Sequence, residues 1–403
     1  MHSNASPLKT LSILAVTQIL AWGALYYAFA IVALDIGRDL GLRREWVFGA
    51  FSWCLLVAGM VSTPIGVLID RHGGRLVMAA GSLVCGIGMI LLSRATSLAA
   101  YIVAWTVLGL SMSAVLYEAA FATITHRFGA DSRRVISTLT LFAGFASTVF
   151  WPLTLQVSSM VGWRDTYLYY GLAQLLLCFP LHLLLDRHAP AARAGKTAVD
   201  FTLAQALRHP AFWTLAFAFA ANSFIFSALS VHLIPILHGF GHPLATVVLM
   251  AALIGPMQVL GRILERVFES HVTQKTVGKI CFSLLPGALL ALLFFGARQW
   301  AMALFCILYG LSNGILTIVR GTIPQMLFGA RNYGAISGAM SGPSLVAKAA
   351  GPLAIAAIIQ SGSSATTLFG MLVGISVASL LFFLLSIRPY APAAALPTHP
   401  EIS

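Results

Sequence analysis

The chain has 403 residues, of which 59% are hydrophobic and only 9% are charged, and its formal net charge is +12. Soluble domains carry about 25% charged residues, so this composition excludes a soluble globular protein. In a membrane protein the excess of basic residues reflects which loops face the cytosol, and we therefore expect no nucleic-acid partner.

Twelve apolar runs follow one another along the chain, and each is long enough to cross the hydrocarbon core of a bilayer. Because no water is present there to satisfy free backbone groups, we predict that every run is a helix. The sequence thus predicts an all-α membrane protein with spans at 10–34, 45–69, 75–93, 99–124, 135–161, 164–185, 211–239, 244–268, 276–297, 300–328, 333–360 and 364–387.

The polar start of the chain leads directly into the first of these runs. That run is too long for a signal peptide, and no small-residue cleavage site precedes Asp35, so we interpret it as a spanning helix. An even number of spans places both termini on one side. We expect that side to be cytosolic because most basic loop residues fall there, as in a multi-pass protein of the bacterial inner membrane.

A short charged hinge, residues 66–75, separates the second and third runs and reads Gly-Val-Leu-Ile-Asp-Arg-His-Gly-Gly-Arg. It is too short to hold a domain, so the flanking helices turn back at one face. Gly66 permits close approach of two helices, and Asp70 suits a neighbouring helix N-terminus, where a carboxylate is favoured. We predict a cytosolic gate formed by Gly66, Asp70, Arg71, Gly74 and Arg75.

The spacing Gly-x-Leu-x-Asp-Arg-x-Gly-x-Arg in this hinge resembles the loop signature between the second and third helices of the major facilitator superfamily of transporters. The Gly162-Trp163-Arg164-Asp165 turn and an arginine in the eighth run extend the resemblance over all twelve helices. It implies two pseudo-symmetric six-helix bundles that rock around one central substrate site.

Internal repetition at an offset of 200 residues supports a division into two halves. Phe128-Gly129-Ala130 returns as Phe328-Gly329-Ala330, and Pro152 is matched by Pro352. We predict an N-terminal bundle over 1–188, a cytosolic linker over 189–209, a C-terminal bundle over 210–390 and a cytosolic tail over 391–403.

The second copy of the hinge is degraded, because Ser270 stands where the first copy has Asp70 and Arg266 where it has Gly66. We therefore expect the two halves to contribute unequally to the gate. The hinge of the first half is predicted to carry most of the conformational switching.

Four charged residues that lie well inside predicted helices are the functional candidates, because charge is costly there. A carboxylate in a low-dielectric setting binds a proton more readily than one in water, so Glu118 is the candidate for proton coupling; the alternative is a structural ion pair with Arg320 or Lys348. Lys348 is either a contact for an anionic substrate or a packing lysine. Arg262 can be neutralised by Glu265 at i+3, and Arg320 is similarly ambiguous.

Within the superfamily the chain resembles monocarboxylate porters and oxalate/formate exchangers, in which an arginine of helix 8 and a lysine of helix 11 can bind a carboxylate. Arg262 and Lys348 lie on those helices here. The lysine departs from the pattern, since it comes only a few residues before Gly351-Pro352. The resemblance implies that both cations contact the substrate, and Arg320 is a further candidate.

Aromatic residues of the first helix are candidates for a second kind of substrate contact. Trp22 and Tyr26, at i and i+4, can stack a planar organic molecule, whereas the alternative is ordinary packing. Tyr26 and Tyr27 are about 100° apart on a regular helix, so we expect only one of them to face the cavity.

Metal binding and catalysis have little support in the sequence. His232, His238 and His242 cluster near the outer end of the seventh run, where glycines and a proline favour a loop, so a metal transporter or a pH-sensing loop stays an open alternative. We find no Walker, HExxH or GxSxG motif in the sequence. We therefore expect no enzyme and no cofactor.

These features together predict a secondary transporter of a small organic anion, with a carboxylate as first choice, driven by protons or by exchange. The alternatives are a transporter of a larger aromatic compound such as a drug or vitamin, a transition-metal transporter, and a membrane receptor without flux. The expected partners are the small-molecule substrate, a coupling proton and the lipid bilayer, and we expect a monomer.

Overall fold

The structure is a computed structural model that describes residues 7–186, 200–360 and 365–388. Helices fill these ranges, in which no strand occurs. Eleven helical stretches are long and apolar enough to cross a membrane, and the longest, Ser132–Leu183, consists of two helices joined at Gly162. Gly162 leaves helical geometry with φ 77° and ψ 169°. The described chain thus forms twelve spanning helices, as the sequence predicts.

The six helices before residue 187, called the first half, have bounds within a few residues of the predicted spans, although the first helix runs further than expected. They are α1 Leu8–Asp39, α2 Arg44–His72, α3 Gly74–Ser93, α4 Leu98–Phe128, α5 over 132–161 and α6 over 163–183.

The six helices after residue 200, called the second half, follow a short helix, Leu203–Arg208, whose first turn is closed by a capping box between Thr202 and Gln205. They are α7 Pro210–His238, α8 Leu244–Phe268, α9 Gln274–Phe295, α10 Gln299–Phe328, α11 Tyr333–Gln360 and α12 Ala365–Ser386.

The helix connections divide between two faces of the bundle. The face at which the described residues begin at Pro7 and end at Arg388, called the terminal face, carries the connections at Gly73, 129–131, 269–273 and 329–332. The opposite face carries the connections at 40–43, 94–97, Gly162, 239–243 and 296–298.

Each half has its own packed interior, and the halves meet along a few helices. In the first half α4 packs against α2 and α3, and in the second half α10 packs against α8 and α9 while α7 packs against α11 and α12. Contacts between the halves run along α2 and α11 and where α5 meets α8 and α10. Any central site therefore lies between α1, α4 and α5 on one side and α7, α8, α10 and α11 on the other.

The end of the predicted linker is attached to the second half. The Oδ1 atom of Asp200 accepts the backbone N–H groups of Ala330 and Arg331 at 3.0 and 3.2 Å. Most of the linker predicted at 189–209, and the tail predicted at 391–403, lie outside the described residues. The exact bounds of the two bundles stay predictions.

Candidate functional site

Three helices of the first half are irregular near the middle of the bundle. α1 contains a π-helical turn at Gly23–Tyr27, and α4 is broken at Leu116, whose backbone is extended (φ −87°, ψ −167°). α5 is interrupted after Ala143, with a turn at Gly144 before the helix resumes. Irregular backbone at membrane depth is tolerated where it is buried in protein or lines a cavity, and π-helical turns are frequent at functional sites.

An aromatic cluster from three helices lines this irregular region. The ring of Trp22 lies 4.9 Å from that of Tyr117 and 5.7 Å from that of Tyr26, measured between centroids. Tyr27 meets Trp151 edge-on at 5.9 Å. Both tyrosines of α1 therefore join the cluster, on different sides, where a regular helix predicts only one. The π-helical turn that contains them changes the angle between successive side chains.

The second half contributes three cations to this region, and Arg262 of α8 is the most buried, with 6% of its surface exposed. Its guanidinium lies within electrostatic range of the phenol groups of Tyr27 and Tyr117. Its Nε atom is buried and, among the described residues, has no hydrogen-bond partner. An anion that entered this space could supply the missing acceptor.

The alternative in which Glu265 neutralises Arg262 is not found in the structure. The carboxylate of Glu265 is bound by Arg133 at 2.9 Å and by the hydroxyl of Ser137 at 2.5 Å, both on α5. Glu265 is one turn closer to the terminal face than Arg262, and its carboxylate binds residues of the first half across the interface. Its charge is therefore used elsewhere, and no ion pair in the described part of the chain includes Arg262.

Arg320 of α10 is anchored to α7 by one side of its guanidinium. Its Nη2 atom donates to the hydroxyl of Ser223 and to the carbonyl of Phe219, the latter at 3.3 Å, and Cζ lies 5.6 Å from the Phe219 ring centroid. The Nε atom is buried and lacks a partner in the described ranges. Since the visible contacts of Arg320 are with neutral groups, its charge is not compensated by them.

Lys348 and Glu118 lie deeper than the arginines. At 1.5 Å per residue, Lys348 is about 22 Å along α11 from Tyr333 and Glu118 about 15 Å along α4 from Phe128. The charges of Glu118, Arg320 and Lys348 lie within electrostatic range of one another. The predicted direct pair of Glu118 with Arg320 or Lys348 is absent from the ion pairs of the described residues. Glu118 thus lies near Arg320 and Lys348 without forming an ion pair with either residue.

Glu118 also faces the seam between the halves. A narrow cleft there is lined by Glu118 and Ser113 of α4, by Gly66 of α2 and by Gly334 of α11. The carboxyl group therefore lies between the central cations and the predicted gate.

The predicted gate residue Asp70 lies at the N-terminus of α11. Its Oδ1 accepts the backbone N–H of Gly334 at 2.8 Å and its Oδ2 that of Ala335 at 2.7 Å. These N–H groups belong to the first turn of a helix, which has no internal acceptors for them and carries partial positive charge. Asp70 thereby joins α2 of the first half to α11 of the second.

Glycines bring these two helices into contact. A Cβ atom on Gly66 would lie 1.9 Å from the carbonyl oxygen of Gly334, and one on Gly338 would lie 2.4 Å from that of Ser62. The Ser62 hydroxyl in turn donates to the Gly338 carbonyl at 2.6 Å. Small residues at four-residue intervals are the usual means of close helix approach in membranes.

The remaining hinge residues serve other contacts. A Cβ on Gly74 would lie 1.8 Å from the hydroxyl oxygen of Thr123, so Gly74 allows α3 to pack on α4. Arg71 is exposed, whereas Arg75 is half-buried with an Nε atom that has no partner within the described residues. The hinge therefore acts at two interfaces, and Asp70 and Gly66 are its contacts with the other half.

Sequence reasoning missed a second contact between the halves at the terminal face. Besides holding Glu265, Arg133 donates to the backbone carbonyl of Val272 at 3.2 Å. An offset of 200 residues relates α2 to α8 and α11 to α5, so this contact occupies the place equivalent to that of Asp70. The second copy of the hinge has Ser270 in place of Asp70, but the contact between α5 and α8 has an ion pair of its own, between Arg133 and Glu265. The sequence feature that could have indicated this contact is an acidic residue, Glu265, near one end of α8 and the basic pair Arg133-Arg134 near the end of α5 at the same face.

A third contact closes the same face between α10 and the connection that precedes α5. Gln325 accepts the Ser132 hydroxyl at 2.5 Å and donates to the Gly129 carbonyl at 2.6 Å. Together, Asp70, Glu265 and Gln325 join the halves at three places around the terminal face. The structure is therefore closed on that side.

The opposite face is held mainly by contacts within each half. Asp39 at the end of α1 accepts from Arg164 at 2.8 Å and from the indole of Trp163 at 3.1 Å. His242 and His232 interact with the backbone carbonyls of Gly296 and Pro352. No group of three or more potential metal ligands occurs in the ranges that the structure describes, so the histidines act there as helix and loop contacts.

Comparison with known proteins agrees with this architecture. The chain is 25% identical over 310 residues to YhjX, an uncharacterised MFS-type transporter of Escherichia coli (strain K12). The match covers 71% of this chain and 74% of YhjX. It is 29% identical over 219 residues to an uncharacterised 38 kDa protein encoded in the 23S RNA operon of Thermoproteus tenax, covering 54% of this chain and 56% of that protein. The chain thus spans little more than half of the Thermoproteus relative.

Two solved structures share the fold at low sequence identity. The human organic anion transporter MFSD10 (TETRAN) superposes with a TM-score of 0.72 at 15% identity, covering 94% of this chain and 100% of that one. The Escherichia coli fucose:proton symporter FucP gives a TM-score of 0.72 at 12% identity, covering 95% and 100%. The family model of the Major Facilitator Superfamily matches residues 11–342. This chain, a multi-pass membrane transporter and not an enzyme, belongs to the Major Facilitator Superfamily.

Proposed function

We propose that this transporter moves a small organic anion, a carboxylate in the first place, across the bacterial inner membrane by alternating access. The observation that carries the proposal is Arg262, a buried guanidinium with no anionic partner among the described residues, beside a carboxylate that Arg133 binds. Such a charge is stable in a low-dielectric site only when an anion compensates it. A substrate carboxylate meets that need.

The balance of charge in the centre supports the same conclusion. Arg262, Arg320 and Lys348 contribute three positive charges, and Glu118 is the carboxylate within range of the latter two. While Glu118 stays ionised the net charge is +2, so an anion with two negative charges would neutralise the site and one with a single negative charge would leave one positive charge. The resemblance of the helix 8 arginine and the helix 11 lysine to those of monocarboxylate porters and oxalate/formate exchangers agrees with this.

Proton coupling is assigned to Glu118. Glu118 lies near Arg320 and Lys348 and lines the same cleft as Gly66 and Gly334, where the halves meet. Its protonation state therefore affects both the net charge of the substrate site and the gate. Protonation of Glu118 would remove one negative charge and so strengthen the field that attracts the anion. Anions and protons are both cargoes on this fold, since the solved neighbours are named as an organic anion transporter and a fucose:proton symporter.

A second candidate cargo is a larger aromatic compound, such as a drug or vitamin. The aromatic cluster of Trp22, Tyr26, Tyr27, Tyr117 and Trp151 favours it, because ring faces stack on planar molecules. The Trp22 indole N–H is buried and, within the described chain, has no acceptor. An aromatic carboxylate would use both walls of the site. A monomer embedded in lipid is sufficient for all of these functions.

The test is counterflow in proteoliposomes with labelled acetate, succinate and benzoate. Lys348→Ala and Arg262→Ala should each raise the concentration of the transported acid that gives half-maximal exchange by about tenfold to a hundredfold. This is the cost of a lost charge-assisted hydrogen bond. Lys279→Ala, an exposed lysine of α9, is the matched control and should leave it unchanged.

Three outcomes would overturn the proposal. Unchanged half-saturation in both Lys348→Ala and Arg262→Ala would show that the cations are structural. Specific binding of an acid without exchange would support a receptor, and exchange of an uncharged aromatic alcohol equal to that of benzoate would favour the second candidate cargo.

A further inference from the structure

Gly144 of α5 lies directly against the guanidinium of Arg262, which belongs to the other half. A Cβ atom on Gly144 would lie 1.9 Å from Nη1 and 3.2 Å from Cζ of Arg262. Real Cβ atoms do not approach another heavy atom within 3.0 Å. The substrate-binding arginine therefore occupies the space that any side chain at position 144 would fill.

The backbone that carries Arg262 is fixed, so only the flexible end of its side chain is able to move, within surroundings that leave 6% of the residue exposed. The preceding residue, Gly261, packs so tightly on α10 that a Cβ there would lie 2.8 Å from the carbonyl oxygen of Leu311. The base of the arginine side chain is thus fixed to the second half, while its tip lies where α5 is interrupted between Ala143 and Ala146. The interruption and the missing side chain together form a socket in the first half.

The socket exists only while the terminal face is closed. Glu265, one turn from Arg262 on α8, is held to α5 by Arg133, so the same pair of helices that forms the ion pair forms the socket. Opening of the terminal face requires α5 and α8 to separate. The guanidinium then leaves Gly144 and its neighbours Tyr27 and Tyr117.

We propose that Gly144 is a positioning residue that sets the place of Arg262 in the closed state and releases it when the terminal face opens. The half that does not carry the arginine thereby determines where its charge is presented, and the anion site differs between the two states. This inference rests on the proposed function in one respect, that Arg262 binds the substrate anion. The socket itself rests on geometry alone.

The test is a double-mutant cycle between Gly144→Ala and Arg262→Ala, read out without any substrate. Ser113→Cys places a thiol in the cleft between the halves, on a background whose five native cysteines are buried. Its alkylation rate from the terminal side reports opening of that face. Gly287→Ala on α9, where a Cβ meets no atom within 4 Å, is the matched control.

We expect Gly144→Ala to raise the alkylation rate by about tenfold in the parent and by much less in the Arg262→Ala background. The added methyl meets the guanidinium most closely, and its other near contact, the carbonyl oxygen of Leu141 at 3.2 Å, lies on its own helix. Gly287→Ala should change neither. Equal effects of Gly144→Ala in both backgrounds, or no effect in either, would overturn the inference. If Gly144→Ala alone fails to fold, folding of the double variant supports the socket and its failure contradicts it.

Transport separates this inference from the proposed function. Coupling in the alkylation cycle together with acid counterflow that is indifferent to Arg262→Ala would retain the socket and reject the carboxylate site. Acid counterflow that depends on Arg262, with additive alkylation effects, would retain the site and reject the socket.

Discussion

Glu265 of α8 is bound across the interface by Arg133 of α5 at 2.9 Å, and not by Arg262 one turn away on its own helix. The side chain of Glu265 is 1% exposed and that of Arg133 is 13% exposed. One carboxylate therefore has two consequences: it closes the terminal face, and it leaves the charge of Arg262 for an anion.

Glu265→Gln should destabilise the closed state strongly. Removing one partner of a buried ion pair leaves the other charge uncompensated and costs about 3–5 kcal/mol. We expect a lower midpoint of thermal unfolding in detergent and faster alkylation at Ser113→Cys from the terminal side. The control is Glu269→Gln, which removes an i,i+3 pair with the partly exposed Arg266 and should cost about 0.3–0.5 kcal/mol. A Glu269→Gln effect as large as that of Glu265→Gln would contradict this assignment.

Asp70→Asn should open the same face by weakening the cap on α11. The amide retains one acceptor oxygen for the N–H groups of Gly334 and Ala335 but loses the charge that the helix N-terminus favours, which is worth about 0.3–1 kcal/mol in exposed settings and up to about 2 when partly buried. We expect alkylation at Ser113→Cys to rise severalfold. Ser270→Ala, at the equivalent place in the second half, contacts only His271 in the described chain and should change the rate little. The reverse order would show that the Asp70 cap is not part of the gate.

The spans and the contact of Asp70 with a helix N-terminus could be predicted from sequence because they depend on local patterns. Apolar runs with charged connections determine the twelve helices, and Asp70 follows from the preference of a carboxylate for a helix N-terminus. The same local reasoning paired Arg262 with Glu265 at i+3. That pairing failed because Arg133, a distant residue in the chain, competes for Glu265, and only the packing of α5 on α8 brings the two together.

Two other features depended on backbone irregularities that residue spacing does not reveal. Tyr26 and Tyr27 lie in a π-helical turn of α1 and join the aromatic cluster through different partners, Trp22 and Trp151. Gly144 was one of many glycines in apolar runs. Its role becomes visible only when the guanidinium of Arg262 is placed against it.

Acid should destabilise the packing of the first half through Asp186, which lies beyond the end of α6 and binds Lys9 of α1 and Arg127 of α4. Hydrogen bonds from Lys9 and Arg127 hold the pKa of this carboxyl below its ordinary value of 3.8. The folded state thus binds fewer protons than the unfolded state, so the contribution to stability is complete above pH 3.8 and is lost as the pH falls through the lower folded pKa. Thermal unfolding between pH 2.5 and 6 should show this loss in the parent, a smaller loss in Lys9→Met and none of it in Asp186→Asn. A parent-like slope in Asp186→Asn would assign the acid sensitivity to another group.

Glu118→Gln should separate coupling from exchange. The amide cannot take up a proton, but it keeps the size of the side chain, so the centre resembles the permanently protonated state. We expect proteoliposomes with this variant to exchange labelled acid across equal concentrations, because Arg262, Arg320 and Lys348 still bind it. The same vesicles should no longer accumulate the acid when a pH gradient is imposed. Glu45→Gln, at an exposed site in the first turn of α2, should keep both activities. Accumulation driven by the pH gradient in Glu118→Gln would place the coupling proton on another group. Loss of both exchange and accumulation would make Glu118 a substrate contact, because exchange needs binding and conformational change but no net proton movement.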